Sequence, residues 1–218
     1  MIGKYLLEAM ELIGTVAFAV SGTLVAISHG LDLFGVIIVA CTTAVGGGMI
    51  RDLLMGVTPP AIFYSHTTLL IAFSVAIIVF AIAYVNIKRF KGLVDRIEHI
   101  NIVFDAIGLA AFSVAGVEIA CNAGFEKDIL FSITMGVITG IGGGVLRDVL
   151  VNEKPYVLTK HVYAVASILG SSIYYILVSC THYLVAATFV SVVITITIRL
   201  LAAKYRWKLP KIDLSKGD

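Results

Sequence analysis

The chain has 218 residues, 59% hydrophobic and 14% charged, with a mean hydropathy of +1.01, whereas soluble domains carry about 25% charged residues. That balance excludes a soluble globular protein and describes an integral membrane protein with room for about seven spans of roughly 20 residues. A formal net charge of +2 is too small to suggest nucleic-acid binding, so the basic residues inform orientation in the bilayer.

The N-terminus reads as a retained span. Lys4 is followed by Glu8 and Glu11, and the apolar run from Leu12 to Ile27 has no small-residue cleavage site. Span 1 is expected from about Ala9 to Ser28, ending at His29-Gly30, and span 2 from about Leu33 to Leu54, stopped by Thr58-Pro59-Pro60. Span 3 covers about Thr67 to Asn86 and leads into the most basic loop, with Lys88, Arg89, Lys91 and Arg96. Span 4, about Ile100 to Cys121, holds Asp105 and Glu118. Glu126-Lys127-Asp128 links it to span 5, about Ile129 to Val151, which Pro155 ends as Pro59 ended span 2. Spans 6 and 7, about Val162 to Cys180 and Leu184 to Ala203, are antiparallel neighbours because only the Thr181-His182-Tyr183 neighbourhood joins them. The tail from Lys204 onward, basic and containing Trp207, reads as an interfacial anchor.

The chain repeats itself. Thr43-x-x-Gly46-Gly47-Gly48-x-x-Arg51-Asp52 recurs as Thr139-x-x-Gly142-Gly143-Gly144-x-x-Arg147-Asp148, an offset of 96. Gly14, Ala17, Phe18, Val20 and Gly22 recur as Gly108, Ala111, Phe112, Val114 and Gly116 at an offset of 94, with Glu11 opposite Asp105. His66 and His161 correspond at 95. A unit of three spans forces the second copy to enter the membrane the other way, so the fold expected is an all-α bundle of two inverted three-helix repeats plus a seventh helix. Residues 1–218 then form a single transmembrane domain, with repeat one at about 5–88, repeat two at about 99–181, the seventh helix at about 184–203 and the tail at 204–218. Loops after spans 1, 3 and 5 share a side with the C-terminus. That side holds Lys88, Arg89, Lys91, Arg96, Lys154, Lys160 and the tail, which makes the C-terminus cytoplasmic and the N-terminus external.

Three consecutive glycines weaken a helix by about 1 kcal/mol each relative to alanine, where hydrocarbon normally demands an unbroken ladder. Gly46 falls roughly 18 Å along a helix starting near Phe34, a little past the middle of a core about 30 Å thick. The backbone could open there, and freed carbonyls with the hydroxyls of Thr43 and Thr139 would supply oxygen ligands to a monovalent cation. The other reading of the glycines is close helix packing without a pore. Arg51, Asp52, Arg147 and Asp148 are candidates for a gate or pore mouth. Sequence neighbours point about 100° apart on a helix, so each is expected to pair with other spans, where Glu11, Asp105 and Glu118 are the available counter-charges. A static structural salt bridge is the alternative.

Other residues say less. Cys41, Cys121 and Cys180 have no ligand spacing and read as apolar packing residues. Tyr84, Tyr156, Tyr163, Tyr174, Tyr175 and Tyr183 fit an aromatic belt, and His66 and His161 an interfacial hydrogen bond. Walker, nucleophile-elbow and zinc patterns are all missing, so the chain reads as neither an enzyme nor a metal protein.

These residues resemble a known family. GGGMIRD at 46–52 and GGGVLRD at 142–148, within seven spans of inverted repeats, resemble the prokaryotic branch of the trimeric intracellular cation (TRIC) channels, over about residues 5–203. The resemblance implies a homotrimer with a pore in each subunit, kinked at the triplets of spans 2 and 5 and passing potassium and, less well, sodium, in the cell inner membrane. It implies no cofactor beyond the permeating ions and bound lipid. Animal members hold a phosphoinositide with a basic residue near a triplet, but no Lys stands beside Gly142. A secondary transporter for glycine or another small zwitterion is the alternative that the same domain implies, and a structural scaffold the third.

Overall fold

The structure, a computed structural model, describes residues 2–86, 94–159, 162–181 and 183–207. Lys88, Arg89, Lys91 and Lys160, expected on the inner side, lie outside the described residues, as do His161 and His182. Seven long helices follow one another: α1 (Ile2–Ser28), α2 (Leu33–Leu54), α3 (Thr67–Val85), α4 (Val94–Ala120), α5 (Ile129–Leu150), α6 (Val162–Thr181) and α7 (Leu184–Lys204). All seven are long and apolar enough to cross a membrane, and they form two inverted three-helix repeats plus a seventh helix.

The repeats use the same devices at both ends of their second helix. Asp32 caps α2 by accepting from Gly35 N at 2.8 Å, and Asp128 caps α5 by accepting from Phe131 N at 3.0 Å. Beyond the C-termini, Gly56 and Asn152 take left-handed backbone conformations with φ of 75° and 60°. Val57 N then donates to Asp52 O, and Glu153 N to Asp148 O, both at 2.8 Å, which turns the chain back. A short 3-10 turn (Ala61–Phe63) or a helical turn (Tyr156–Thr159) follows.

At the centre, small residues let the repeats interlock. Gly14 faces the Phe112 ring and Gly108 faces the Phe18 ring, while the two rings lie 5.3 Å apart. A Cβ on Gly47 would overlap the carbonyl oxygen of Thr139, and one on Gly143 would overlap that of Thr43. Hence α2 and α5 cross backbone to backbone. The expectation that the backbone opens at the triplets is corrected here, because both helices stay helical throughout. Glycine supplies proximity at this crossing, and the carbonyls remain in their own helical ladders. Thr43 and Thr139 likewise turn their hydroxyls onto Val39 O and Met135 O, each at 2.6 Å.

Two helices begin earlier than expected. α1 starts at Ile2, with Lys4 and Glu8 one turn apart at 3.9 Å, and α4 starts at Val94. Once nucleated, a helix propagates cheaply through polar residues beyond the hydrocarbon. α3 buries only Ala72, Ala76 and Ala83 and turns residues such as Leu70, Ile78 and Ile82 outward, as a lipid-facing span does.

Candidate functional site: two buried arginine clusters

Each second helix ends in an arginine that is buried against the following aspartate. In repeat one, Arg51 donates from Nε at 3.0 Å and from Nη2 at 2.7 Å to Asp52 Oδ1. Asp52 Oδ2 accepts from Ala61 N at 2.9 Å, so the carboxylate ties the helix end to the re-entering chain. Repeat two repeats this: Arg147 Nε donates to Asp148 Oδ1 at 2.8 Å, and Asp148 Oδ2 accepts from Tyr156 N at 2.8 Å. The expected pairing with other spans is thus corrected for Arg51. The long arginine side chain bends around the helix end to reach a carboxylate that its backbone turn holds in place. Glu11 stands within electrostatic reach of Arg51 but forms no salt bridge to it among the described residues.

Arg147 goes further. Its Nη1 donates to Asp105 Oδ1 at 2.8 Å and to Ser21 Oγ of the first repeat at 2.6 Å, and the side chain is fully buried. The Tyr163 hydroxyl lies 3.3 Å from the same Asp105 oxygen, and the Arg147 guanidinium sits 5.2 Å from the centre of the Tyr156 ring. Ser21 also donates to Asn101 Oδ1 at 2.6 Å. The second cluster therefore spans both repeats and sets its buried arginine against two carboxylates, as a buried ion pair requires, while Asp105 Oδ2 keeps no hydrogen-bond partner among the described residues.

Glu118, the remaining expected counter-charge, pairs with neither arginine. It accepts from the Tyr174 hydroxyl at 2.7 Å at the opposite end of the bundle. The aromatic-belt reading is corrected for Tyr163, Tyr174 and Tyr175, which are buried with their hydroxyls on Asp105, Glu118 and Glu126 O. Tyr84 and Tyr183 are exposed at helix ends. His66 starts α3 without a side-chain cap bond. The three cysteines are free thiols, Cys180 exposed and the others half-buried, and no metal-binding group of His, Cys, Asp or Glu occurs among the described residues.

Comparisons with known proteins place this architecture. A family model described as a glycine transporter matches residues 8–84 and 102–179, each match falling within three spans. A UPF0126 membrane protein of Vibrio cholerae is 40% identical over 211 residues, covering 97% of this chain and 84% of its own length. The UPF0126 inner membrane protein YadS of Escherichia coli is 36% identical, with 95% and 97% covered. Among solved structures, a prokaryotic TRIC channel in 0.5 M KCl superposes with a TM-score of 0.83 at 37% identity, covering 94% of this chain and all of that one. The chain belongs to the TRIC family. A TRIC orthologue from Rhodobacter sphaeroides, solved as a trimeric intracellular cation channel, agrees at a TM-score of 0.81 and 29% identity, with 92% and 98% covered.

One charged residue of this TRIC-family chain escaped the sequence reading. Arg199 of α7 is 2% exposed, lies 4.9 Å above the Tyr163 ring and places Nη2 3.9 Å from Asp105 Oδ2. Its signal was present: Thr188, Ser191, Thr195 and Arg199 recur every three or four residues on a largely apolar helix, and all are buried. Ser113 and Ser167, hydrogen-bonded to each other at 2.6 Å, carried no such periodic signal. A cavity of about 750 Å³ opens beside Arg199, lined also by Glu98, Tyr156, Lys204 and Trp207, and a small void of about 10 Å³ lies beside Glu118, Tyr174 and Thr188 at the other end.

Proposed function

We propose that the chain is a cation channel of the inner membrane, passing potassium through a pathway within each subunit of a homotrimer. The observation that carries the reading is the placement of ionised and hydroxyl groups deep inside a bundle that lipid surrounds, where such groups mark ion routes by default. Arg147, Asp105, Asp148 and Arg199 stand together at one end and Glu118 at the other, with Thr and Ser side chains buried between them. Similarity over more than nine-tenths of the chain to structures described as TRIC cation channels supports the same reading. By the positive-inside rule, the arginine end of α5 faces the cytoplasm together with the basic tail, and the N-terminus lies outside.

The glycine-transporter description of the matching family model favours a second reading, carriage of a small zwitterion whose two charges would meet Asp105 and Arg199 or Arg147. Potassium flux and labelled-glycine counterflow, measured in the same proteoliposomes, separate the two. A channel gives potassium flux and no glycine counterflow. Saturable glycine counterflow without potassium flux would overturn the channel reading.

A further inference from the structure

At the end of α5 the two repeats meet through one apolar contact and one polar one. Val151, the first residue past α5, packs with Val25, Ala26, Val36 and Val39 of repeat one, and Phe80 of α3 lies against the same cluster. Beside this contact the turn after α1 faces the turn after α5, and His29 Nε2 stands 3.2 Å from Glu153 Oε1. The segment seated here is the one that closes the second arginine cluster: Glu153 N donates to Asp148 O and Tyr156 N to Asp148 Oδ2, both at 2.8 Å. The inverted turns hold no such pair. Glu153 corresponds to Val57 at the offset of 96, and His29 to Ala123 or Phe125 at offsets of 94 or 96.

The partners of the imidazole fix its protons. His29 Nδ1 lies 2.8 Å from Val25 O, a carbonyl that can only accept, so Nδ1 carries a hydrogen. Ser28 Oγ, 3.3 Å from the same nitrogen, itself donates to Val25 O at 2.7 Å. A neutral imidazole has a single N–H, and with that hydrogen on Nδ1 a bare Nε2 would meet the Glu153 carboxylate lone pair against lone pair. Only the imidazolium donates to both acceptors. No other charge competes for either partner among the described residues. Asp32, at the start of α2, accepts from Gly35 N; α3 carries no charged residue, and its Tyr84 stacks on Phe80; Lys154 forms no ion pair.

We propose that His29 and Glu153 form a proton-dependent clasp between the repeats, which fastens the α5 turn to the α1–α2 turn when the imidazole is protonated and releases it when the imidazole is neutral. Histidine side chains exchange their charge between about pH 5 and 8. The tie is therefore complete toward the acid end of that range and lost toward the alkaline end. In the orientation proposed above the clasp faces the cytoplasm and responds to cytoplasmic pH. Its side chains are 31% and 58% exposed, so the effect is local, a looser turn on an otherwise unchanged bundle. It does not depend on what the chain carries across the membrane.

Amide hydrogen exchange across the turn that holds Val151, Asn152 and Glu153, measured in the full chain, reads the clasp against two variants. Glu153→Ala removes the tie at any pH. Glu153→Gln keeps it at any pH, because a carboxamide accepts from the imidazolium and donates to the neutral ring. Both replace an exposed side chain and are expected to fold. At about pH 6 the wild-type turn should exchange about two- to fivefold more slowly than Glu153→Ala and at the rate of Glu153→Gln, as an exposed pair allows. At about pH 8 it should exchange at the rate of Glu153→Ala. Comparison at equal pH cancels the intrinsic pH dependence of exchange. Wild-type exchange equal to that of Glu153→Ala at both pH values would mean that no tie exists, and exchange equal to that of Glu153→Gln at both would mean a tie that needs no proton; either result overturns the proposal.

Discussion

Repeat one and repeat two end their second helices with the same Arg-Asp pair, yet they surround it differently. Arg51 meets the carboxylate that follows it, whereas Arg147 meets Asp148, Asp105 and Ser21 together. The difference lies in the neighbours. Glu11 takes the place of Asp105, and α7, which packs on the second repeat, adds Arg199 to it. The comparison teaches that the motif itself is a device for closing a helix end, in which one aspartate oxygen holds the returning backbone and the other holds the arginine. Further buried polar partners are added in only one copy, by residues outside the motif.

The sharpest way to break this comparison is to remove each arginine in turn. Arg147→Ala leaves Asp105 and Asp148 buried with their main counter-charge gone, a change that costs about 3–5 kcal/mol where a buried pair loses one partner. Arg51→Ala strands one carboxylate that still accepts from Ala61 N, and the expected loss is under half as large. Thermal unfolding of the two variants in the same detergent checks the order. Equal losses would mean that Asp105 and Ser21 contribute nothing to holding Arg147.

Much of this was legible in the residues. Asp32 and Asp128 mark helix starts that the structure places one residue later, and Thr67 and Val162 open α3 and α6 where expected, because caps and prolines act locally. Pairing across the bundle was not legible. Helix geometry alone sends Arg51 to other spans because it treats the side chain as short; the reach of a guanidinium around a terminal turn defeats that argument. Tyr163 and Tyr174 look like belt residues in the sequence because position along a span does not tell which face is turned inward. The triplets signalled a weak backbone, and the structure uses that same absence of Cβ for contact between carbonyl and glycine.

The triplets give the second test. Gly47→Ala and Gly143→Ala each drive a methyl into a carbonyl of the facing helix, and overpacking of this kind costs about 1–3 kcal/mol. The two losses should match, because the crossing is symmetric. The third glycines should not. A Cβ on Gly48 meets only Arg51 Nη2 at 3.6 Å, whereas one on Gly144 comes within 2.9 Å of the Tyr163 hydroxyl. Gly48→Ala is therefore expected to stabilise, by up to about 1 kcal/mol through helix propensity, and Gly144→Ala to destabilise. A matching response at Gly48 and Gly144 would mean that the asymmetry does not reach the crossing.

The smallest expected effect tests the symmetric half of the comparison at the helix ends. Gly56 and Asn152 occupy equivalent left-handed positions, with φ of 75° and 60°, just past the arginine turns. Nothing lies within 4 Å of a Cβ built on Gly56, so space is not the constraint there and backbone conformation alone decides. Asparagine tolerates this conformation less well than glycine but better than other residues. Gly56→Asn should therefore destabilise slightly, and Asn152→Gly should change stability by a similar amount in the opposite sense, each by about 0.5–1 kcal/mol. The exchange of both residues should then leave the melting temperature where it began. A net shift in the double variant would show that one loop makes further use of its residue, and would locate an asymmetry that the backbone angles do not reveal.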